Sequence, residues 1–181
     1  MNEQVSYRHY SGTAAENYER YFVPVIGAPV AHDLLRAAAL QPGERVLDVA
    51  CGTGVIARLA SERVGSSGEV VGVDVAPDMI EVARATTAPP GVAIDWRQGD
   101  AASLPFPDAS FDVVLCQMGL MLFPDKTTAL AEMRRVLVAG GRVALNTPGA
   151  INRPMEILAE GLGRHVNPDL AGFVHAIFSM S

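Results

Sequence analysis

Val46-Leu47-Asp48-Val49-Ala50-Cys51-Gly52-Thr53-Gly54 reads as an apolar strand that breaks into a glycine turn and then into a helix from Val55. Glycines at such a turn let the backbone come close to a ligand, because no side chain holds the ligand away. Asp48, just before the turn, sets a carboxylate where a diphosphate would be repelled and a cationic group would be welcome.

Working outward, the same rhythm repeats. Apolar runs at 45–50, 70–73, 92–96, 111–116 and 142–146 read as strands, with helical patterns at 55–64, 77–85 and 126–138 between them. Gly65-Ser66-Ser67-Gly68 and Pro89-Pro90-Gly91 punctuate the first half, Pro77 opens a helix, and Gly140-Gly141 closes the last one. Strands alternating with helices argue for an α/β, doubly wound, mainly parallel five-stranded sheet with helices on both faces. Continuous apolar strands fit a sheet covered on both sides.

The composition narrows the functional classes. The 181 residues suit one domain, and 49% hydrophobic residues supply a core. A net charge of -6 and a pI near 5.1 repel a phosphate backbone, so nucleic acid is not an expected partner. The basic pair Arg134-Arg135 falls in a helical pattern and reads as a solvated face. Cys51 and Cys116 have neither metal-ligand spacing nor a disulfide framework, and read as small apolar fillers in a reducing compartment. Met1-Asn2-Glu3-Gln4 does not open a signal peptide, and no run of about 18 apolar residues marks a membrane span. A cytoplasmic location is expected.

The two ends depart from the rhythm. Residues 1–43 read as a helical flap, with Tyr7, Tyr10, Tyr18, Tyr21 and Phe22 and helices near 14–21 and 30–40. Residues 149–181 read as two helices, near 154–164 and 168–180, with no strand. His9, His32, His165 and His175 fall in no motif, so no catalytic base is assigned.

Two more acids share the position of Asp48 relative to a strand. Asp74 ends Val71-Gly72-Val73-Asp74, where an acid takes ribose hydroxyls in dinucleotide and adenosyl cofactors alike. Asp100, in Gly99-Asp100-Ala101 past the third strand, is placed to accept from an adenine amino group. Taken singly, Asp74 also fits a cap for the helix at Pro77, and Asp100 also fits a turn. Jointly, the three acids stand at successive strand ends on the side where such sheets bind ligands. Gly52-Thr53-Gly54-Val55-Ile56-Ala57 also fits the dinucleotide fingerprint, but Asp48 disfavours an NAD-dependent oxidoreductase.

Together V-L-D-V-A-C-G-T-G, V-V-G-V-D-V-A-P-D-M, G-D-A-A-S-L-P-F-P-D-A-S-F-D-V-V and A-L-A-E-M-R-R-V-L-V-A-G-G-R-V resemble class I S-adenosylmethionine-dependent methyltransferases. The branch is similar to the ubiquinone/menaquinone-biosynthesis C-methyltransferases, and the likeness spans roughly 18–148. It implies a Rossmann-like sheet of order 3-2-1-4-5, a cofactor core at 44–148, and a small-molecule methyl acceptor. By position, Asp48 and the turn Ala50, Cys51, Gly52, Thr53 and Gly54 would meet the methionine part of S-adenosylmethionine. Asp74 with Val75 would hold the ribose, Met79 would pack near the adenine, and Asp100 and Ala101 would read its edge. Gln117 would line the site near the methionine moiety, and Tyr21 would reach it from the flap. Ala50 stands where family members often have glycine.

The family's last two strands have no counterpart after the fifth, so the chain resembles a methyltransferase truncated there, with 149–181 starting an acceptor-site cap. Strand five would then be an open edge, available with the C-terminal helices for self-association. A chain that binds the cofactor but catalyses little is the alternative this implies.

Overall fold

The computed structural model describes residues 13–86 and 93–178. Tyr7, His9, Tyr10, the Pro89-Pro90-Gly91 break, Val92 and Met180 lie outside the described residues. The chain enters through α1 (Thr13–Asn17), a π-helical segment (Tyr18–Gly27) and α2 (Ala28–Ala38). It continues as β1 (Arg45–Val49), α3 (Val55–Val64), β2 (Glu69–Asp74), α4 (Pro77–Ala85), β3 (Ile94–Gln98) and β4 (Phe111–Gln117). Then come α5 (Lys126–Val136), β5 (Leu137–Asn146), α6 (Arg153–His165) and α7 (Pro168–Ile177).

The five strands form one sheet of order β3-β2-β1-β4-β5, parallel throughout. The order reverses between β1 and its neighbours β2 and β4, which opens a crevice at their carboxyl ends. Alternation along each strand feeds two cores. Val46, Val70, Val113 and Leu115 pack with Ile56, Ala57 and Ala60 of α3 and Leu34 and Leu35 of α2. Leu47, Val49, Val71, Val73 and Val114 pack with Ala129, Met133 and Val136 of α5 on the other face. Only β1, β2 and β4 are buried almost throughout, while the edge strands β3 and β5 are half open. Among the described residues no helix is long and apolar enough to cross a membrane.

Three local departures from the sequence pattern have clear causes. First, α1, the π segment and α2 run on without a break, although Pro24 lies inside. Proline lacks an N–H and crowds the carbonyl four residues back, so a wider turn accommodates it; the Ala28 N–H accordingly reaches the Val23 carbonyl five residues away. Second, Gly140 and Gly141 do not close α5 but lie inside β5, which begins at Leu137. The β4–β5 register slips between Phe111 and Val113, Gly140 has φ +82°, and a Cβ on Gly141 would stand 2.9 Å from the Asp112 carbonyl oxygen. The glycines form a bulge there. Third, Arg135 is no solvated residue: its guanidinium binds Glu132, Asp108 and the carbonyls of Leu104 and Phe106, tying the 104–108 loop to α5.

α6 and α7 pack chiefly on each other, and α7 touches the short 3-10 turn Leu120–Leu122 after β4. Asn152 and Asn167 cap them, each accepting a backbone N–H. On β5, Val143 and Leu145 remain exposed.

Candidate functional site

The turn after β1 combines strain with close packing. Ala50 has φ +56°, Gly52 +54° and Gly54 +90°, so three of its five residues take left-handed backbone. Only the glycines do so freely. Ala50 bears a methyl against Gly119, where an added Cβ would lie 2.7 Å away, and the neighbouring Met118 is itself at φ +50°. Met118 is held by Asn146 at the end of β5, whose backbone and side-chain oxygens both accept its N–H at 3.0 Å. Asn146 had no sequence signal beyond its place at a strand end. Ala50→Gly should relieve the left-handed strain and raise unfolding stability by about 1 kcal/mol; chemical denaturation of the two proteins measures it.

The two glycines have different work. A Cβ on Gly52 would meet nothing nearer than Tyr18 Cε1 at 3.8 Å, so this residue faces the N-terminal segment. A Cβ on Gly54 would lie 2.2 Å from Trp96 Cη2, and one on Gly72 would lie 2.5 Å from the same indole. Trp96 of β3 thus needs both glycines bare, and Gly54 serves packing between strand and helix.

Asp74 is the hub. Its carboxylate accepts the Gly52 N–H at 2.8 Å and the Ala76 N–H at 2.9 Å, joining the turn after β1 to the turn after β2. Val75, half exposed beside it, accepts a hydrogen bond from Gln98 at the end of β3. Asp100 is exposed, accepts the Ala102 N–H at 2.9 Å and so organises the turn after β3, with Ala101 buried behind it. Met79 is buried with Ala15 and Ala76, under the N-terminal helix. Gln117 ends β4, and its amide donates to the Gly27 carbonyl at 3.0 Å. Tyr21 is 59% exposed with the Arg20 guanidinium over its ring, so it points away. The aromatic on the site side is Tyr18, stacked on Phe22 at 4.7 Å.

Asp48 is 1% exposed and lies inside the sheet rather than in the crevice. One oxygen accepts the Ala57 N–H at 3.1 Å in the first turn of α3, where the helix dipole favours an anion. Among the described residues the other has no hydrogen-bond partner, and neither do the buried Thr53 Oγ1 and Gln117 Oε1. Buried polar atoms without partners are costly, and three at the adjoining ends of β1 and β4 mark a place fitted to polar groups of a ligand.

A family model described as a methyltransferase domain matches residues 46–141. The chain belongs to that family. The demethylmenaquinone methyltransferase of Deinococcus radiodurans is 48% identical to this chain over 114 residues, 61% of this chain and 47% of that protein. The ubiquinone/menaquinone biosynthesis C-methyltransferase of Xanthomonas oryzae pv. oryzae is 43% identical over 127 residues, 69% of this chain and 46% of its own length. The YcgJ protein from Bacillus subtilis shares the fold with a TM-score of 0.59 at 34% identity, covering 74% of this chain and 56% of its own. The chain therefore spans about half the length of the curated relatives it matches. The family is the class I, S-adenosylmethionine-dependent kind, and the sheet order of the methyltransferase domain is the expected 3-2-1-4-5.

The residues present fit that cofactor. Unpartnered buried oxygens at the ends of β1 and β4 suit an ammonium or a bridging water, and the bare face of Gly52 leaves room beside the turn. Burial holds the Asp48 carboxyl well above the usual carboxylate range, with the Ala57 hydrogen bond opposing and Asp74 adding to the rise. Burial also raises Asp74, against the pull of its backbone hydrogen bonds. A carboxyl whose folded value is raised costs stability as pH climbs from its ordinary value to the raised one. Asp48→Asn should therefore flatten the decline in melting temperature between mildly acidic and mildly alkaline pH, with little difference from wild type at the acidic end. An unchanged slope would remove Asp48 as its source.

Both cysteines are buried, and burial pushes the Cys116 thiol up to about 12 and raises Cys51 as well, which disfavours the nucleophilic thiolate. His32, His165 and His175 are exposed on α2, α6 and α7. Arg45, Glu69, Arg97, Phe106 and Phe111 line an open depression of about 370 Å³. It lies towards the starting ends of β1, β2 and β4, the wrong end for the crevice.

Proposed function

We propose that the chain binds S-adenosylmethionine at the carboxyl ends of β1, β2 and β4 and methylates a small quinone-type acceptor. The observation that carries it is the Asp74 carboxylate bound to the Gly52 N–H, which makes the glycine turn and the acid after β2 one unit. In this reading Asp74 with Val75 holds the ribose and Asp100 with Ala101 meets the adenine. Gln117 and the turn from Ala50 to Gly54 face the methionine part, with Asp48 buried beneath them and fixing the start of α3 through the Ala57 N–H. Bound S-adenosylmethionine would supply a methyl on a sulfonium for in-line transfer. The protein's part is alignment and exclusion of water by the segment 13–27, with Tyr18 presenting an aromatic face. The described histidines offer no base at the site, which suits an acceptor that is its own nucleophile, as an electron-rich hydroquinone ring is. The quinone class rests on the names of relatives of which the matched region is less than half. The unpaired, buried cysteines suit a cytoplasmic setting. The described part of the flap, 13–43, and the helices α6 and α7 would border the acceptor, and the exposed edge at Val143 and Leu145 favours self-association through β5.

Calorimetric titration with S-adenosylmethionine, S-adenosylhomocysteine and NADH tests the cofactor assignment, and binding of NADH alone would overturn it. Turnover with demethylated naphthoquinols and benzoquinols then separates transfer from binding without catalysis. Sedimentation tests self-association; a monodisperse monomer removes it.

A further inference from the structure

Arg58 is a buried cation with two tasks. It is 8% exposed in the second turn of α3; one nitrogen donates to the Thr53 carbonyl at 2.6 Å and another to Glu19 Oε1 at 2.9 Å. Thr53 belongs to the glycine turn, and Glu19 belongs to the π segment. The guanidinium therefore grips the turn with one arm and the N-terminal segment with the other.

That segment is held at three places over the site. Glu19 ties it to α3, Gly27 accepts from Gln117 at the end of β4, and Ala15 packs on Met79 of α4. Tyr18, between these anchors, lies beside Gly52. The segment thus spans the ends of β1, β2 and β4, and a ligand seated there leaves only when an anchor yields. Of the three, the Glu19–Arg58 pair is charged and its side chains are only 22% and 10% exposed, so water screens it weakly. Among the described residues the second Glu19 oxygen is buried without a hydrogen-bond partner, so the one side-chain hydrogen bond holding the carboxylate is that to Arg58. π-helical turns are less regular than α-helical ones and recur at functional sites.

We propose that Arg58 is a positioning residue that couples the cofactor turn to the N-terminal segment, the Glu19–Arg58 pair acting as the latch that sets how long a bound cofactor is retained. Arg58 reaches the cofactor only through Thr53, and Glu19 only through the segment it closes. The inference rests on the cofactor reading above.

The test uses the 181-residue chain, its Glu19→Ala and Arg58→Lys variants, and the double variant. Stopped-flow displacement of a fluorescent S-adenosylhomocysteine analogue gives the rates. Each single variant should release it about tenfold faster with little change in association, the loss of one charge-assisted hydrogen bond. The double variant should be no faster than the quicker single one, because either change opens the same latch. A wild-type release rate in Glu19→Ala overturns the proposal. Should wild type bind no analogue, the cofactor reading fails. Tryptic cleavage after Arg20 in the unliganded chain still judges the latch: faster cutting in Glu19→Ala at an unchanged melting temperature supports it, and equal cutting overturns it.

Discussion

Asp74→Ala should weaken binding of S-adenosylhomocysteine by about 100-fold in calorimetric titration, equivalent to about 3 kcal/mol lost with two hydrogen bonds to a charged group. Two losses converge on this residue. A ribose would forfeit its acceptor, and the Gly52 N–H, held at 2.8 Å, would forfeit its own. Ala76 N–H loses its partner as well, so the turns after β1 and β2 come apart together. Asp74→Asn separates charge from shape. An amide can offer only one oxygen to the two N–H groups, so it should recover part of the affinity and no more. Unchanged affinity in Asp74→Ala would remove the ribose assignment and leave Asp74 a structural residue.

Gly54→Ala should lower unfolding stability by about 3 kcal/mol, the sum of left-handed strain and overpacking. The methyl would need space 2.2 Å from Trp96 Cη2, inside any van der Waals contact, at a residue with φ +90°. Trp96 cannot yield cheaply, because the same ring lies where a Cβ on Gly72 would be. Urea denaturation followed by circular dichroism measures the change. Adding Trp96→Leu should recover the overpacking share but leave the backbone strain. Full stability in Gly54→Ala would mean that the indole is not seated as described.

The sheet was legible because its signals are local and repeated. Apolar runs of strand length between capped helices placed all five strands, and α3 and α4 begin and end where the pattern puts them. What failed was local backbone with a long-range cause. Gly140-Gly141 looks like a helix stop but is a bulge, since the close approach of Asp112 across β4 is invisible along the chain. The π segment is not legible in the sequence, because side-chain periodicity is read at the α-helical period and the wider turn around Pro24 is a property of the backbone.

The three acids show the same division. Their strand-end positions were readable, but the depth of Asp48 was not, because it depends on α3 closing over β1. Arg58 leaves one faint trace: a charged residue beside the apolar stripe of Ile56, Ala57, Ala60 and Val64. A cation there implies a buried partner, and Glu19 is 39 positions away.

Trp96 is the chain's only tryptophan, and its ring rests against Gly54 of the turn and Gly72 of β2. Its fluorescence therefore comes from a single, known joint between the edge strand and the place where the turn becomes α3. Excited at the red edge of the absorption band, the unmodified protein carries its own optical gauge of that joint. Opening of the turn, by denaturant or by a substitution nearby, becomes visible separately from melting of the helices around it.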